Sequence, residues 1–193
     1  MRVLNMDKEM ELEDNVLVEQ CLKGKLRTFR VLVERYKKST YFFALGMVGN
    51  SEDAYDLSQE AFVKAYRALP HFNKKFPFKS WLFTILSNLC KNALRSSEIR
   101  QKYLDSQKAL ANSSTVSISD PEQSYITKET KKAVWDAMAN LDEDAKEIII
   151  LKHFQDMSYQ DISEVLGIPL GSVMSRLHYA RLKLKKALGG ILE

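Results

Sequence analysis

The sequence predicts an all-α protein made of two small helical domains, residues 13–100 and 122–188, joined by a flexible linker. Apolar residues recur at spacings of three and four almost throughout, and the period-two alternation of half-buried strands is nearly absent. The 193 residues include 7 glycines and 4 prolines, fewer turn residues than a β-sandwich needs. The pattern breaks at the Ser-rich segment 101–121. A flexible coil of about 20 residues spans roughly 25 Å, so the two domains could reach separated sites.

Eight helices are predicted from the apolar spacing, and several have start and stop residues. Asp142, Ser51 and Ser158 stand where an N-cap residue is favoured. Gly49 and Gly167 stand where helices are expected to stop, because glycine readily takes the left-handed conformation of a helix end. The helices are expected near residues 13–23, 26–47, 51–69, 77–98, 122–140, 143–155, 158–166 and 170–188.

Positive charge is concentrated in two segments, although the net charge is only +4. The stretch 74–102 is rich in Lys and Arg and contains one acid, Glu98, while the stretch 170–188 contains basic residues and no acid. The start of the chain and the stretch 105–147 are rich in carboxylates. Two basic helical segments fit a protein that grips a polyanion at two places. Two solvated helix faces remain the alternative.

Several classes of protein are disfavoured by what the sequence lacks. The start has no apolar stretch typical of a signal peptide or anchor, and the longest apolar run, 41–48, is far shorter than the roughly 20 residues of a membrane span. Cys21 and Cys90 form no CxxC pair and are expected to behave as small hydrophobes. The three histidines show no metal-binding spacing. We therefore expect a cytoplasmic protein without membrane insertion, metal, cofactor or small-molecule substrate.

An acidic stripe is predicted on the third helix. Asp53, Asp56 and Glu60 follow one another at i, i+3 and i+7 and so share a helix face, while small residues such as Ala54 and Ala61 line another. Such a stripe suits docking to a basic partner surface. A solvated helix face is the alternative.

Aromatic, basic and amide side chains follow this helix, in residues 71–83 and again in residues 88–95. Aromatic rings that stack on bases, combined with cations on the backbone, are typical of single-stranded nucleic-acid binding, at roughly 1–3 kcal/mol per stacked base. Trp81 and Phe83 are expected in the core rather than in a cleft.

The segment 158–177 has the pattern of a helix-turn-helix. Gly167 can adopt a positive φ at the turn, and Pro169 prevents the first helix from continuing. The following helix can lie in a major groove with its first turns at base edges. Arg176 is the expected base contact, and Arg181 and Lys183 are the expected phosphate contacts. A three-helix bundle with the same apolar spacing is the alternative.

Three sequence stretches together resemble one protein family. DAYDLSQEAFVKAYRALPHF (53–72) and FKSWLFTILSNLCKNALR (78–95) resemble region 2 of the extracytoplasmic-function sigma factors of bacterial RNA polymerase. SYQDISEVLGIPLGSVMSRLHYARLKLKKAL (158–188) resembles region 4 of the same family. Both regions occur in the family's order with a linker between them. The resemblance implies a promoter-recognition subunit, a role in stress responses, and an inhibitory anti-sigma protein as a partner.

The resemblance also implies three sets of site residues. Those that would bind core polymerase are Asp53, Asp56, Gln59 and Glu60. Those that would bind and open the −10 element are Phe72, Asn73, Lys74, Lys75, Phe76, Phe78, Lys79, Asn88, Lys91, Asn92 and Arg95. Those that would bind the −35 element are Ser172, Ser175, Arg176, His178, Tyr179, Arg181 and Lys183. The linker would thread the RNA exit path of the polymerase.

Two features depart from the pattern of the family. The loop between the third and fourth helices often reads like Arg-Gly-Asp, whereas here it reads Asn73-Lys74-Lys75. Met174 and Tyr179 replace frequent basic residues on the recognition helix. At these positions the family's usual contacts to the two promoter elements do not carry over to this sequence.

Two other functions compete with promoter recognition. A helix-turn-helix regulator would bind duplex operators as a dimer, but it leaves the acidic helix and the aromatic loop unexplained. An enzyme acting on nucleic acid would need metal ligands, a nucleophile–base pair or a phosphate-binding glycine loop, and the sequence shows none of these motifs. We therefore expect a non-catalytic sigma factor that binds core RNA polymerase and promoter DNA.

Overall fold

The computed structural model describes residues 10–107 and 134–188. The all-α prediction is confirmed, because these residues form helices and turns and include no strand. Residues 134–139 are helical; a 3-10 turn, Leu69–His71, follows α3, and a π-helical turn, Ile150–Phe154, extends α5. The helices are α1 (Asp14–Leu22), α2 (Arg27–Val48), α3 (Ser51–Ala68), α4 (Phe78–Gln107), α5 (Glu143–Ile149), α6 (Tyr159–Leu166) and α7 (Leu170–Leu188).

Helix α4 is longer than the sequence pattern predicts. It continues to Gln107 instead of ending near residue 98, so residues 101–107 of the predicted linker are helical. These residues contain no glycine or proline, and strong helix formers such as Arg100 and Gln101 let the helix continue without buried apolar contacts. The rest of the predicted linker, 108–121, and the predicted helical residues 122–133 lie outside the described part of the chain.

Helix caps agree with the predictions at four of five positions, and one of the four is Asp142, whose side chain accepts a hydrogen bond from the backbone N–H of Ala145 at the start of α5. Gly49 and Gly167 end α2 and α6 with φ of 73° and 63°. Ser158 forms a capping box with Asp161 at the start of α6. The N-cap of α3 is Asn50 rather than Ser51, because the Asn50 side chain accepts hydrogen bonds from the backbone N–H groups of the first turn. Asn is as good an N-cap as Ser, so sequence preference could not separate the two.

The N-terminal domain, α1 to α4, is packed around aromatic rings. Phe43 of α2 meets Phe83 of α4 edge to face, with ring centroids 5.3 Å apart, and both side chains are fully buried. Where α2 crosses α3, buried hydroxyls of Thr40 and Ser58 share a hydrogen bond of 2.7 Å. Small buried residues of α3, among them Ala61, allow this close approach. The core therefore positions one face of α3 outward.

The C-terminal domain, residues 134–188, contains the predicted helix-turn-helix, formed by α6 and α7. Ile162 of α6 and Val173 and Leu177 of α7 are buried together with the isoleucines of α5. The hydroxyl of Ser163 donates a hydrogen bond to the carbonyl of Ile168 in the turn. The buried faces predicted for both helices are confirmed.

The two domains pack against each other. Helices α2 and α4 of the N-terminal domain contact α5, its π-helical turn and α6 of the C-terminal domain. Gly46 lies against Ile150 and Trp135, where a side chain would have no space. Sequence patterns within either domain gave no sign of this packing.

Candidate nucleic-acid interface

The acidic face of α3 points away from the core. Asp53, Asp56, Gln59 and Glu60 are all exposed, as the sequence pattern predicts. Glu60 forms an ion pair of 3.1 Å with Lys64 one turn further along, and both side chains are about half exposed. Such exposed pairs contribute little to stability. A partner that docks on this face and breaks the ion pair therefore costs the protein little free energy of folding.

The loop after α3 is anchored to the core by buried aromatic rings. Phe72 and Phe78 are buried and pack around Trp81, with centroid distances of 4.9 and 5.7 Å from the indole. These two predicted site residues therefore support the loop and do not line its surface. Phe76 is 44% exposed and remains accessible for stacking.

Two of the three polar residues in the loop are held by hydrogen bonds. The Asn73 side chain accepts a hydrogen bond of 3.1 Å from the backbone N–H of Lys75. Lys74 pairs with Glu19 of α1 at 2.8 Å, and this pairing lowers the pKa of the Glu19 carboxyl. The loop thus has a defined shape despite lacking the glycine that is frequent in the family.

The predicted nucleic-acid face of α4 is only partly exposed. Asn88, Asn92 and Arg95 are exposed. Lys79 and Lys91 instead contact the C-terminal domain. The ammonium of Lys79 donates to the backbone carbonyl of Gln155, and burial lowers its pKa. Lys91 pairs with Glu147 at 2.7 Å.

The predicted cations of α7 flank its outward face. Arg176 pairs with Asp144 at 3.1 Å, and Lys183 pairs with Asp142, a pairing that lowers the pKa of Asp142. On the other flank, the guanidinium of Arg181 donates to the ring nitrogen of His153.

The centre of the outward face is formed by other residues. Ser175, His178 and Tyr179 lie opposite the buried Val173 and Leu177 and are exposed. Ser172 is half-buried beside them. Met174 and Leu182, 49% and 50% exposed, share this surface, and sequence reasoning did not assign them to the site. Their position outside the apolar stripe of α7 is the signal that could have found them.

Both cysteines are buried, and burial raises the pKa of the Cys90 thiol to about 12. Within residues 10–107 and 134–188, His, Cys, Asp and Glu side chains do not gather in any group able to hold a metal ion. None of the helices in these two ranges has the length and hydropathy to cross a membrane.

A helix-turn-helix domain packed on a second helical domain with an acidic helix defines a two-domain transcription protein. Comparison with known families agrees. Residues 32–99 match the family model of Sigma-70 region 2, and residues 131–184 match that of Sigma-70 region 4.

Relatives match over nearly the whole chain. RNA polymerase sigma-H factor of Pseudomonas aeruginosa is 32% identical over 94% of this chain and 96% of its own length. ECF RNA polymerase sigma-E factor of Escherichia coli K12 is 34% identical over 89% of this chain and 92% of its own length. The sigma factor RpoE of Bartonella quintana, solved with the anti-sigma factor NepR, is 25% identical, with a TM-score of 0.67 over 83% of this chain and 96% of that one.

The chain belongs to the extracytoplasmic-function (ECF) sigma factors. It is a sigma factor that directs promoter-specific transcription initiation, and the family binds core RNA polymerase and promoter DNA. The dimeric operator-binding alternative is not favoured.

Proposed function

We propose that the acidic face of α3 is the surface that docks to core RNA polymerase. Asp53 and Asp56 make no ion pair with another residue in the described ranges, so their charge is free for a basic partner. Small buried residues behind them, such as Ala54, fix the helix on α2. The exposed carboxylates on a rigid helix are the observation that carries this assignment, because complementary charge steers association and fixes orientation.

The N-terminal domain binds the −10 element through the loop 73–76 and the exposed side chains of α4. Phe76 offers a ring for stacking on an unpaired base, and Asn88, Asn92 and Arg95 offer amides and a cation alongside. Phe72 and Phe78 act indirectly, because they hold the loop from inside the core. Opening the duplex needs no catalysis by this chain, since captured bases and backbone contacts offset the few kcal/mol of unstacking.

The C-terminal domain binds the −35 element through α7. Ser175, His178 and Tyr179 form the centre of the surface that would enter a major groove, where side chains at base edges read sequence. Arg176, Arg181 and Lys183 lie at its margins, where phosphates are the nearer partners. The structure therefore favours a phosphate role for Arg176 over the base contact expected from the sequence.

The protein acts without chemistry of its own, in the cytoplasm, and an anti-sigma factor is expected to cover its binding surfaces. The structural relative from Bartonella quintana was solved in such a complex. The chemistry of the site agrees with a binding role, because its side chains are amides, cations and rings suited to nucleic-acid contacts.

Transcription in vitro tests this proposal. Core polymerase and the purified chain are supplied with a random promoter library, and the start sites are sequenced. We expect one shared pair of upstream elements. The double variant Asp56→Lys with Glu60→Lys should abolish both polymerase association and transcription, since like charges across an interface cost several kcal/mol.

A matched control reverses the same number of charges elsewhere. Glu11→Lys with Glu13→Lys changes two exposed acids of the N-terminal domain that lie outside α3, and it should transcribe like the unchanged protein. Equal polymerase binding by both double variants would contradict the docking assignment.

A further inference from the structure

Three carboxylates at the start of α5 and along it each pair with a cation of a proposed DNA surface. Asp142 pairs with Lys183 and Asp144 pairs with Arg176, both on α7. Glu147, one turn further along, pairs with Lys91 on α4 of the other domain. One acidic segment thus contacts both surfaces that would hold promoter DNA.

The three ion pairs differ in burial, and the most buried one is expected to be the strongest. Asp142 and Asp144 and their partners are 46–59% exposed, and exposed ion pairs contribute little. Glu147 is only 1% exposed and also accepts a hydrogen bond from the hydroxyl of Ser87. A buried carboxylate is costly to leave without its partner, so separation of the domains must supply Glu147 with water or another cation.

Two further hydrogen bonds join the same two domains. The side-chain amide of Gln155 donates to the carbonyl of Ser39 at 3.2 Å. The hydroxyl of Ser80 donates to Asp161 at 3.1 Å. Gln155 follows the π-helical turn, a local widening of a helix that often marks a functional position. Acids of the C-terminal domain thus lie along the face of α4 where a nucleic-acid strand would run.

We propose that Glu147 closes the chain on itself and competes with the promoter strand for Lys91 and Ser87. This inference rests on the proposed binding of the −10 element by α4, with Lys91 among its contacts as the family resemblance implies. The Glu147 carboxylate pairs with the ammonium that a phosphate oxygen would otherwise contact, and α6 of the same domain packs against α4. The closed form binds polymerase through α3 but cannot place a strand on Lys91 until the domains separate.

A neutral variant of Glu147 tests the proposal in the full-length chain. Glu147→Gln keeps the shape of the side chain and an acceptor for Ser87 but removes the charge. Small-angle X-ray scattering should show a larger radius of gyration. Anisotropy of a short fluorescent single-stranded oligodeoxynucleotide of random sequence should show tighter binding, by about tenfold if the closed form holds roughly nine molecules in ten.

The matched control is Asp144→Asn, which removes the same charge from the same helix. It breaks only a pair inside the C-terminal domain, so the radius of gyration and the affinity should stay within about twofold of the unchanged protein. If both variants bind the oligodeoxynucleotide equally, net charge explains the gain and the proposal fails. An unchanged radius of gyration in Glu147→Gln also overturns it.

Two further measurements keep the test decisive. If circular dichroism shows that Glu147→Gln is unfolded, Ser87→Ala removes a hydrogen bond to Glu147 and retains every charge. Hydrogen exchange in α4 should then be faster than in the unchanged protein, and unchanged exchange would overturn the proposal. Transcription with core polymerase is measured separately, so loss of sigma activity is distinguished from failure of the closure.

Discussion

The N-terminal domain fills its core with aromatic rings, whereas the C-terminal domain fills its core with aliphatic side chains. Phe43, Phe78 and Phe83 are essentially fully buried in the first, while Ile148 and Ile162 are fully buried in the second. Aromatic side chains bury about 150–250 Å² each, so the first core is the larger, and we expect it to depend less on the contact between the domains. Small domains are only marginally stable, which explains why the second gains from the contact at Gly46.

The largest expected effect comes from the aromatic core. Phe83→Ala should lower the free energy of unfolding of the N-terminal domain by about 3–5 kcal/mol, because it leaves a cavity beside Phe43. It should also destabilise the C-terminal domain, which loses its neighbour. Urea unfolding followed by fluorescence separates the domains, since Trp81 lies in one and Trp135 in the other. Trp135→Phe and Trp81→Phe provide the single-reporter backgrounds.

Leu177→Ala is the matched change in the aliphatic core. We expect a loss of about 2–5 kcal/mol, seen mainly by Trp135. If this variant shifts the Trp81 transition as much as the Trp135 transition, the domains unfold as one unit. The contrast between a self-contained and a dependent domain would then be wrong.

A smaller effect is expected at the contact between the domains. A Cβ on Gly46 would lie 2.6 Å from the Cδ1 atom of Ile150 and 3.1 Å from the ring of Trp135. Gly46→Val should therefore lower the stability reported by Trp135 by about 1–3 kcal/mol. Gly171→Ala, where a Cβ meets no atom within 4 Å, should cause no loss. A Gly46→Val protein with unchanged stability and an unchanged radius of gyration would contradict the close contact of Gly46 with Ile150 and Trp135.

The smallest effect concerns a single ion pair of the C-terminal domain. Asp142→Asn keeps an N-cap acceptor for Ala145 but removes the charge that pairs with Lys183. Because the pair is exposed, we expect a loss of about 0.5 kcal/mol at neutral pH. Asp142→Ala, which also removes the cap, should cost about 1 kcal/mol more.

The same pair has a pH dependence with a defined sign. Lys183 and the backbone N–H of Ala145 lower the pKa of Asp142 in the folded protein. Its stabilising contribution is therefore present above the unfolded-state pKa of about 3.9 and is lost as pH falls through the folded-state value. Thermal melts of the unchanged protein and of Asp142→Asn should converge in acid. A difference in melting temperature that stays the same at every pH would exclude the ion pair as the cause of the difference in stability.

Most of the fold could be predicted because the relevant signals are local. The apolar spacing of α2, the capping box at Ser158 and the glycine at position 167 each act within a few residues. The outward carboxylates of α3 follow from helix periodicity in the same way. Features that depend on burial, such as the packing of Phe72 in the core, could not be predicted, because the sequence of a loop does not tell whether an aromatic side chain faces solvent or core.

Contacts between the domains could not be predicted at all. Ser87 and Glu147 lie 60 positions apart, and a carboxylate in an acidic stretch gives no sign that it will be buried on a lysine. The recognition helix illustrates the same limit. The sequence predicts a base contact for Arg176 but gives no sign of its ion pair with Asp144, 32 positions away.

The buried thiol of Cys90 adjoins Lys91 in sequence, and the negative charge of Glu147 joins burial in keeping that thiol protonated. Movement of α5 away from α4 would remove that charge and bring solvent nearer to the sulfur. The protein thus carries a native chemical reporter, because the rate at which an alkylating reagent modifies Cys90 would follow the separation of its two halves without any added label.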